Sequence, residues 1–325
     1  MTLQFPRDHG AHPDLRTEWW YITGYATSGG REFGFQVTFF RTRVDVAQSM
    51  TSKFAAKQLV FAHAAVTDVQ GGKLWHDQRI AREGFEVAVA AQGDTQVRLR
   101  DWSLQRTGNS YRAALPGADF TLDIECAPTQ PLLLQGAQGL SRKGPQPAQA
   151  SYYYSQPQIA VTGAIVLRGQ RLAITGKAWL DHEWSEEVMH PEAVGWDWIG
   201  MNLDDGSALT AFRLRRQDGS ALWHGGSFRP AGGATRVFAQ DEVSFEAKRS
   251  WTSPVSRATY PVEWMVRTPA GAWAVKAVLD NQELDSRAST GAIYWEGLSD
   301  LADGAGRRVG RGYLEMTGYA QRLRL

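Results

Sequence analysis

Glu32-Phe-Gly-Phe-Gln-Val-Thr-Phe-Phe40 sets bulky apolar side chains at 33, 35, 37 and 39, with Gly34, Gln36 and Thr38 between them. In an extended chain successive side chains face opposite ways, so this period of two reads as a strand with one apolar face. Phe85-Glu-Val-Ala-Val, Gln96-Val-Arg-Leu-Arg, Phe120-Thr-Leu-Asp-Ile, Ala208-Leu-Thr-Ala-Phe-Arg-Leu and Trp273-Ala-Val-Lys-Ala-Val-Leu behave the same way. Between such stretches lie turn signals: Ser28-Gly-Gly30, Asp204-Asp-Gly206 and Gln217-Asp-Gly-Ser220. Helix is expected only in residues 52–58, as two turns within a longer loop, and after Ser185, placed to cap a short helix through Glu186 and Glu187. Many short strands with turns between them predict an all-β protein of the barrel or sandwich type.

An internal repeat divides the chain. Trp20-Tyr-Ile-Thr-Gly24, a turn at Gly29-Gly30 and a strand ending in Phe40-Arg41 match Trp196-Asp-Trp-Ile-Gly200, a turn at Asp205-Gly206 and a strand ending in Phe212-Arg213. Matching hairpins about 176 residues apart suggest a duplicated unit. The predicted domains are 1–188 and 189–325, since the strands expected over 158–167 and 171–180 are needed to complete the first barrel. The Gly-, Pro- and Gln-rich stretch 136–150 reads as a long loop over a barrel mouth.

Composition narrows the functional classes. The chain has 325 residues, 43% of them hydrophobic, and a formal net charge of +1. That is enough apolar residue for two cores, and no Lys/Arg block of the kind that binds nucleic acid is present. Apolar runs are far shorter than a membrane span. Cys126 is the only cysteine, so there is no internal disulfide. No G-x-S-x-G elbow, P-loop or dinucleotide fingerprint appears.

Chemistry-bearing residues concentrate in three clusters: Phe5-Pro-Arg-Asp-His-Gly-Ala-His-Pro-Asp14 with Thr17-Glu-Trp-Trp-Tyr21, Trp179-Leu-Asp-His-Glu-Trp-Ser185, and Gly195-Trp-Asp-Trp198. Acids and histidines beside tryptophans resist burial unless paired, so folding alone explains such clusters poorly. If 179–184 is extended, Trp179, Asp181 and Glu183 share one face, and Leu180, His182 and Trp184 the other. Asp197 likewise opposes Trp196 and Trp198, so either the carboxyl enters a cavity or both indoles do.

These clusters, together with "FAHAAVTD" (61–68), "YYYSQPQIAVTG" (152–163) and "GYLEMTGY" (312–319), resemble the carotenoid hydratase/AttH family of lipocalin-like proteins. The resemblance runs in order over nearly the whole chain and implies two lipocalin-like β-barrels packed side by side. Hydratases of that family add water across an isolated carbon–carbon double bond of a hydrophobic isoprenoid with no metal or redox cofactor; pericyclase-like relatives fold a polyene in a similar two-barrel pocket. AttH-type relatives imply the alternative of a non-catalytic carrier for a hydrophobic ligand, with a transport system as partner. Proteins of the family are commonly exported, so the expected compartment is periplasmic or extracellular. Met1-Thr-Leu-Gln runs into the first motif with no signal peptide before it, which leaves the cytoplasm open as well.

Hydration needs a protonated acid aimed at the alkene, aromatic faces for the tertiary cation and a positioned water. Under the resemblance Asp197 is the first candidate acid and Asp181 the second, with His182 orienting the acid or the water. Trp184, Trp196, Trp198, Tyr152, Tyr154, His63, Trp19 and Glu18 are the candidate substrate-contacting residues. Each has a plainer reading. Trp19, Trp20, Trp196 and Trp198 suit barrel cores; Arg7, Asp8 and Glu18 suit a buried ion network tying down the N-terminal segment; His63 sits on an apolar strand, as core histidines do. His9 and His12 invite a zinc reading, but His-x2-His without cysteine or a placed third ligand does not make a metal site.

Overall fold

The computed structural model describes residues 2–187 and 189–323. Two antiparallel sheets, of thirteen and ten strands, account for the architecture. Among the described residues helix is confined to three single 3-10 turns, Arg7–His9, Asp45–Ala47 and Gln240–Glu242. The helix expected over 52–58 is a turn within a loop. Ser185 caps nothing, because its strand, Gln170–Glu187, continues through both glutamates.

Each sheet is organised around its opening hairpin. In the first, Thr17–Ser28 lies between Arg31–Arg43 and Gln170–Glu187, and Ala150–Leu167 follows beyond the latter. The sheet curls until Gln58–Asp68 approaches Ala88–Ala90 and Gln96–Leu99, so that the barrel nearly closes. In the second, Gly195–Leu203 lies between Ala208–Arg215 and Arg308–Met316, with Ala292–Ala302 beyond. The strand order is the same in both: opening hairpin, then the last strand of the half, then the one before it. Curling of the first sheet shields much of the edge that a flat open sheet would expose.

The first sheet's last strand ends at Glu187 and the second sheet's first strand begins at Gly195. The boundary placed at residue 188 falls outside the described residues, as do the outer limits at 1 and 325.

The hairpin repeat is present, but its register differs from the one that matching Trp-x3-Gly suggests. Glu18 pairs across the first hairpin with Arg41, and Trp19 with Phe40. Asp197 pairs across the second with Arg213, and Trp198 with Phe212. The structural equivalents are therefore Glu18 with Asp197 and Trp19 with Trp198, three residues away from the sequence alignment. The two glycines mislead because each clears room for a ring, on opposite faces. A Cβ at Gly24 would sit 2.4 Å from the Phe35 ring inside the first barrel, and one at Gly200 2.3 Å from the Trp198 ring outside the second.

Each sheet encloses its own apolar core: Trp20, Phe35, Phe39, Trp102 and Trp184 in the first, Trp264, Trp295, Leu314 and Met316 in the second. A third cluster, with Tyr21, Trp179, Trp198, Phe212, Leu298 and Tyr313, joins the outer faces of the two barrels. The stretch 136–150 reaches this seam through Lys143, which borders the space between the barrels, and packs at Gly139 against Leu3 of the N-terminal segment. Within it Leu140–Arg142 pairs with Ala150–Leu167, and Gln135 just before it bonds to Ser227 of the second sheet.

Candidate functional site

Strand alternation separates the sequence clusters into two environments. Trp179, Asp181 and Glu183 face the seam, while Leu180, His182 and Trp184 face the first barrel's interior. Along Thr17–Ser28, Trp19 and Tyr21 face the seam, and Glu18, Trp20 and Ile22 turn inward. In the second half Trp196 and Trp198 face the seam, and Asp197 and Ile199 the second barrel's interior. Both indoles, and not the Asp197 carboxyl, therefore reach the space between the barrels.

That space is a cleft open to solvent, with an enclosed volume of about 110 Å³. Trp19, Tyr21, Phe40, Trp196, Trp198 and Phe212 wall it, and Asp181, Glu183, Glu296 and Glu315 enter it with Lys143. Trp19 and Trp196 stack across the seam, centroids 6.5 Å apart.

Asp181 is the most elaborately held of these acids. Ser155 Oγ and Trp179 Nε1 donate to its Oδ1 at 2.6 and 2.7 Å, and the Tyr153 hydroxyl donates to Oδ2 at 2.6 Å. Burial favours the neutral carboxyl and outweighs these three donors, pushing the Asp181 pKa up to about 7. Glu315, which accepts a 3.0 Å bond from Trp196 Nε1, is also pushed up to about 7, by burial first and then by the charges of Asp181 and Glu183. Glu296 rises well above the usual carboxyl range through burial and the nearby Glu315. Its Oε2 accepts 2.6 Å from Gln36 Nε2, but its Oε1 and the adjacent Tyr21 hydroxyl are buried with no hydrogen bond of good geometry. Glu183 is paired differently, to Lys143 Nζ at 3.0 Å and to the Ser151 hydroxyl.

The inward-facing cluster is a closed network. Glu18 Oε1 meets His12 Nδ1 at 2.7 Å and His182 Nε2 at 2.9 Å, while Oε2 accepts 2.9 Å from Arg41 Nε and 2.8 Å from the His12 amide. Asp8 joins through Arg7 at 2.6 Å and His12 at 3.2 Å. The Tyr154 hydroxyl bridges His9 and His182, at 2.7 and 3.2 Å. Burial opposes the Glu18 charge, yet the hydrogen bonds and charges of His12 and His182 prevail and hold its pKa at about 2. Burial lowers the His182 pKa. Ligand atoms of His12, Glu18 and His182 lie within 4.8 Å of one another, a donor set a divalent metal accepts. Both Glu18 oxygens are already committed, and the adjacent Arg41 opposes a second cation, so these residues fit an ion network better than a metal centre.

Several expected site residues are thus placed elsewhere. Asp197 is fully buried inside the second barrel, bonded to Arg213 Nε at 2.6 Å and the Tyr319 hydroxyl at 2.8 Å, with Arg215 Nε a further charge contact at 3.1 Å. His182 points away from the cleft, and no acid among Asp181, Glu183 and Asp197 reaches it; its acid partner is Glu18. Tyr152, Tyr154 and Trp184 share the first barrel's side with it, through ring contacts at 5.9 and 6.3 Å. Glu18 borders the cleft, but its carboxylate turns inward. His63 lies at the seam beside the cleft, bonded to Tyr294 at 2.8 Å and Ser289 at 2.9 Å, and burial lowers its pKa to about 3. Asp181, Trp19, Trp196 and Trp198 do line the cleft.

Lys143, Glu296 and Glu315 are the residues that sequence reasoning passed over, and of the tyrosines at 152–154 it is Tyr153 that meets Asp181. Glu315 stands within the quoted motif at 312–319, and Glu296 is a lone acid in the apolar run Ile293-Tyr-Trp-Glu-Gly-Leu298. A buried-acid reading of those strands was the available signal.

Two lipocalin-like barrels closing on an aromatic cleft that carries neutralisable carboxyls define the architectural class. The chain belongs to the AttH-like family, whose sequence pattern matches residues 1–319. A crystal structure assigned to AttH, from Nitrosomonas europaea, is 49% identical, covers 98% of each chain and superposes with a TM-score of 0.92. Kievitone hydratase from Nectria haematococca shares the fold at a TM-score of 0.77 and 15% identity, over 98% of this chain and 94% of its own. CghA, in a structure with Sch210972, shares it at 0.57 and 12%, over 93% and 88%. No protein of curated function matches the sequence.

Proposed function

We propose that the cleft between the barrels is a cofactor-free active site that adds water across an isolated double bond of a hydrophobic, isoprenoid-like substrate, with Asp181 as the proton donor. The observation that carries this reading is a buried carboxyl, neutral up to about pH 7, among the aromatic walls of the cleft between the barrels. An alkene is a poor base and takes a proton only from an acid that is protonated where the substrate sits. Oδ2 accepts only the Tyr153 bond, which leaves it a position for the proton. Transfer from Oδ2 to the alkene forms a C–H bond and leaves a tertiary cation beside the Asp181 carboxylate. The faces of Trp19, Trp196 and Trp198 stabilise that cation. Water then attacks it, and the proton released returns to the Asp181 carboxylate, so the sum is alkene plus water to alcohol. The fold shared with kievitone hydratase supports the reading at the level of architecture.

The test is incubation with a panel of acyclic polyenes, read by mass spectrometry for addition of one water, beside thermal unfolding of the parent and Asp181→Asn. Turnover should fall at least about 10²-fold in the variant while Tm changes little. Undiminished turnover in a folded variant overturns the acid assignment. A parent that turns over no polyene, yet copurifies with a hydrophobic ligand in native mass spectrometry, points to the carrier role.

A further inference from the structure

We infer that the cleft is a binding site for a lipophilic organic cation, an alkylated ammonium headgroup on a hydrocarbon tail, seated between the Trp19–Trp196 stack and Glu315. Its link to catalysis rests on the reading above, since a tetraalkylammonium has the charge and shape of the tertiary cation, but binding itself follows from what the cleft contains.

Aromatic faces attract positive charge most strongly where water is excluded, and a weakly hydrated alkylammonium loses little on entering such a place. The Trp196 indole presents its face to Trp19 with an interplanar angle of 17°, and its N–H is turned to Glu315. One wall thus offers a π surface and a carboxyl together. Among the described residues four carboxyls enter the cleft against one cation, Lys143, which is paired with Glu183; the other cation at its border, Arg41, is committed to Glu18, Gln58 and two carbonyls.

A further observation points to a ligand of this charge. The cleft already holds one ammonium in the manner proposed. Lys143 Nζ lies 4.1 Å from the Phe212 ring centroid, 4.7 Å from that of Tyr153 and 3.0 Å from Glu183. The same combination of rings and acid recurs, without a cation, at Trp19, Trp196 and Glu315.

Calorimetric titration of the full chain with octyltrimethylammonium, octanol and octanoate, all below micellar concentration, tests this. At pH 8, where Asp181 and Glu315 carry charge, the ammonium should bind at least about tenfold more tightly than octanol, and octanoate most weakly. Glu315→Gln should remove most of that preference while octanol affinity stays within about twofold. Trp19→Leu, which removes one of the two aromatic faces and leaves Glu315 in place, serves as a second variant should the first fold poorly, and should cut the preference in the same direction. Octanol binding as tightly as the ammonium, or a folded double variant that still prefers the cation, overturns the inference. Cation preference without polyene turnover leaves it standing and removes the hydratase reading; turnover without cation preference does the reverse.

Discussion

The Tyr153 hydroxyl donates a 2.6 Å hydrogen bond to Oδ2 of Asp181 while accepting one of 3.2 Å from the Trp198 indole. Asp181 and Tyr153 belong to the first sheet and Trp198 to the second, so the acid is positioned by both barrels at once. A donor that is itself polarised by a second donor binds a carboxylate more firmly. The seam therefore influences the protonation of the group it surrounds.

Tyr153→Phe should raise the Asp181 pKa further, because a hydrogen bond to the charged form holds a carboxyl down and its loss leaves burial opposed only by Ser155 and Trp179. Carboxyl carbon NMR titration of Asp181 reads this without reference to any substrate. If the cleft hydrates polyenes, the fall of kcat/KM toward high pH should move upward with it. A downward or absent shift means the bond does not hold the carboxylate.

Asp197→Asn should cost stability, of order 3 kcal/mol, because it leaves Arg213 and Arg215 buried beside an uncharged partner. Urea unfolding gives the size of the loss. Turnover, measured well below the lowered Tm, should persist within about threefold, since Asp197 does not reach the cleft. A large loss of turnover with unchanged stability would restore Asp197 as the acid.

Much of this arrangement is legible in the sequence, and the limits of that reading have a physical cause. The alternation at 32–40 identifies strand, and the same period in 179–184 correctly sets Asp181 and Glu183 against His182 and Trp184. Parity states that two faces differ, but not which one meets the other barrel. That depends on pairing Glu18 with Arg41 and Asp197 with Arg213, across 23 and 16 residues of sequence. Arginines opposite both acids were visible, but nothing local linked each to its partner. The repeat was detected and misregistered because Trp and Gly are conspicuous, whereas the residues that correspond are an acid followed by Trp and, on the next strand, Phe followed by Arg.

Asp181 also predicts how stability varies with pH. Its pKa rises from 3.8 toward about 7 on folding, so the folded protein holds a proton that the unfolded chain gives up. The contribution is complete below about pH 4, declines as pH rises and is gone above about 7. Each pH unit across that window is worth on the order of 1.4 kcal/mol for one such group. Other buried groups titrate in the same window, His63 with the opposite sign and Glu315 with the same one, so the measurement is the difference between the urea stabilities of the parent and Asp181→Asn, which should fall between pH 4 and 8. A difference that is flat or rises over that range contradicts a neutral buried Asp181.

Glu18 should show the opposite dependence, although it occupies the position in the first barrel that Asp197 occupies in the second. Its pKa is depressed from 4.5 to about 2, so its contribution is present above about pH 4.5 and is lost as pH falls through 2. Glu18→Gln removes the charge that Arg41, His12 and His182 surround, and leaves the Arg41 guanidinium, 1% exposed, without a counter-charge. The expected loss at pH 7 is about 3–5 kcal/mol. It should shrink toward pH 2, where the parent's own carboxylate gains its proton. Because the network also fastens the His9–His12 segment to the barrel through Tyr154 and Trp20, amide hydrogen exchange should rise at residues 8–15 before it rises in the sheet. A variant that keeps protection there, or loses the same stability at pH 2.5 as at pH 7, means that packing of the segment and not the Glu18 charge holds it in place.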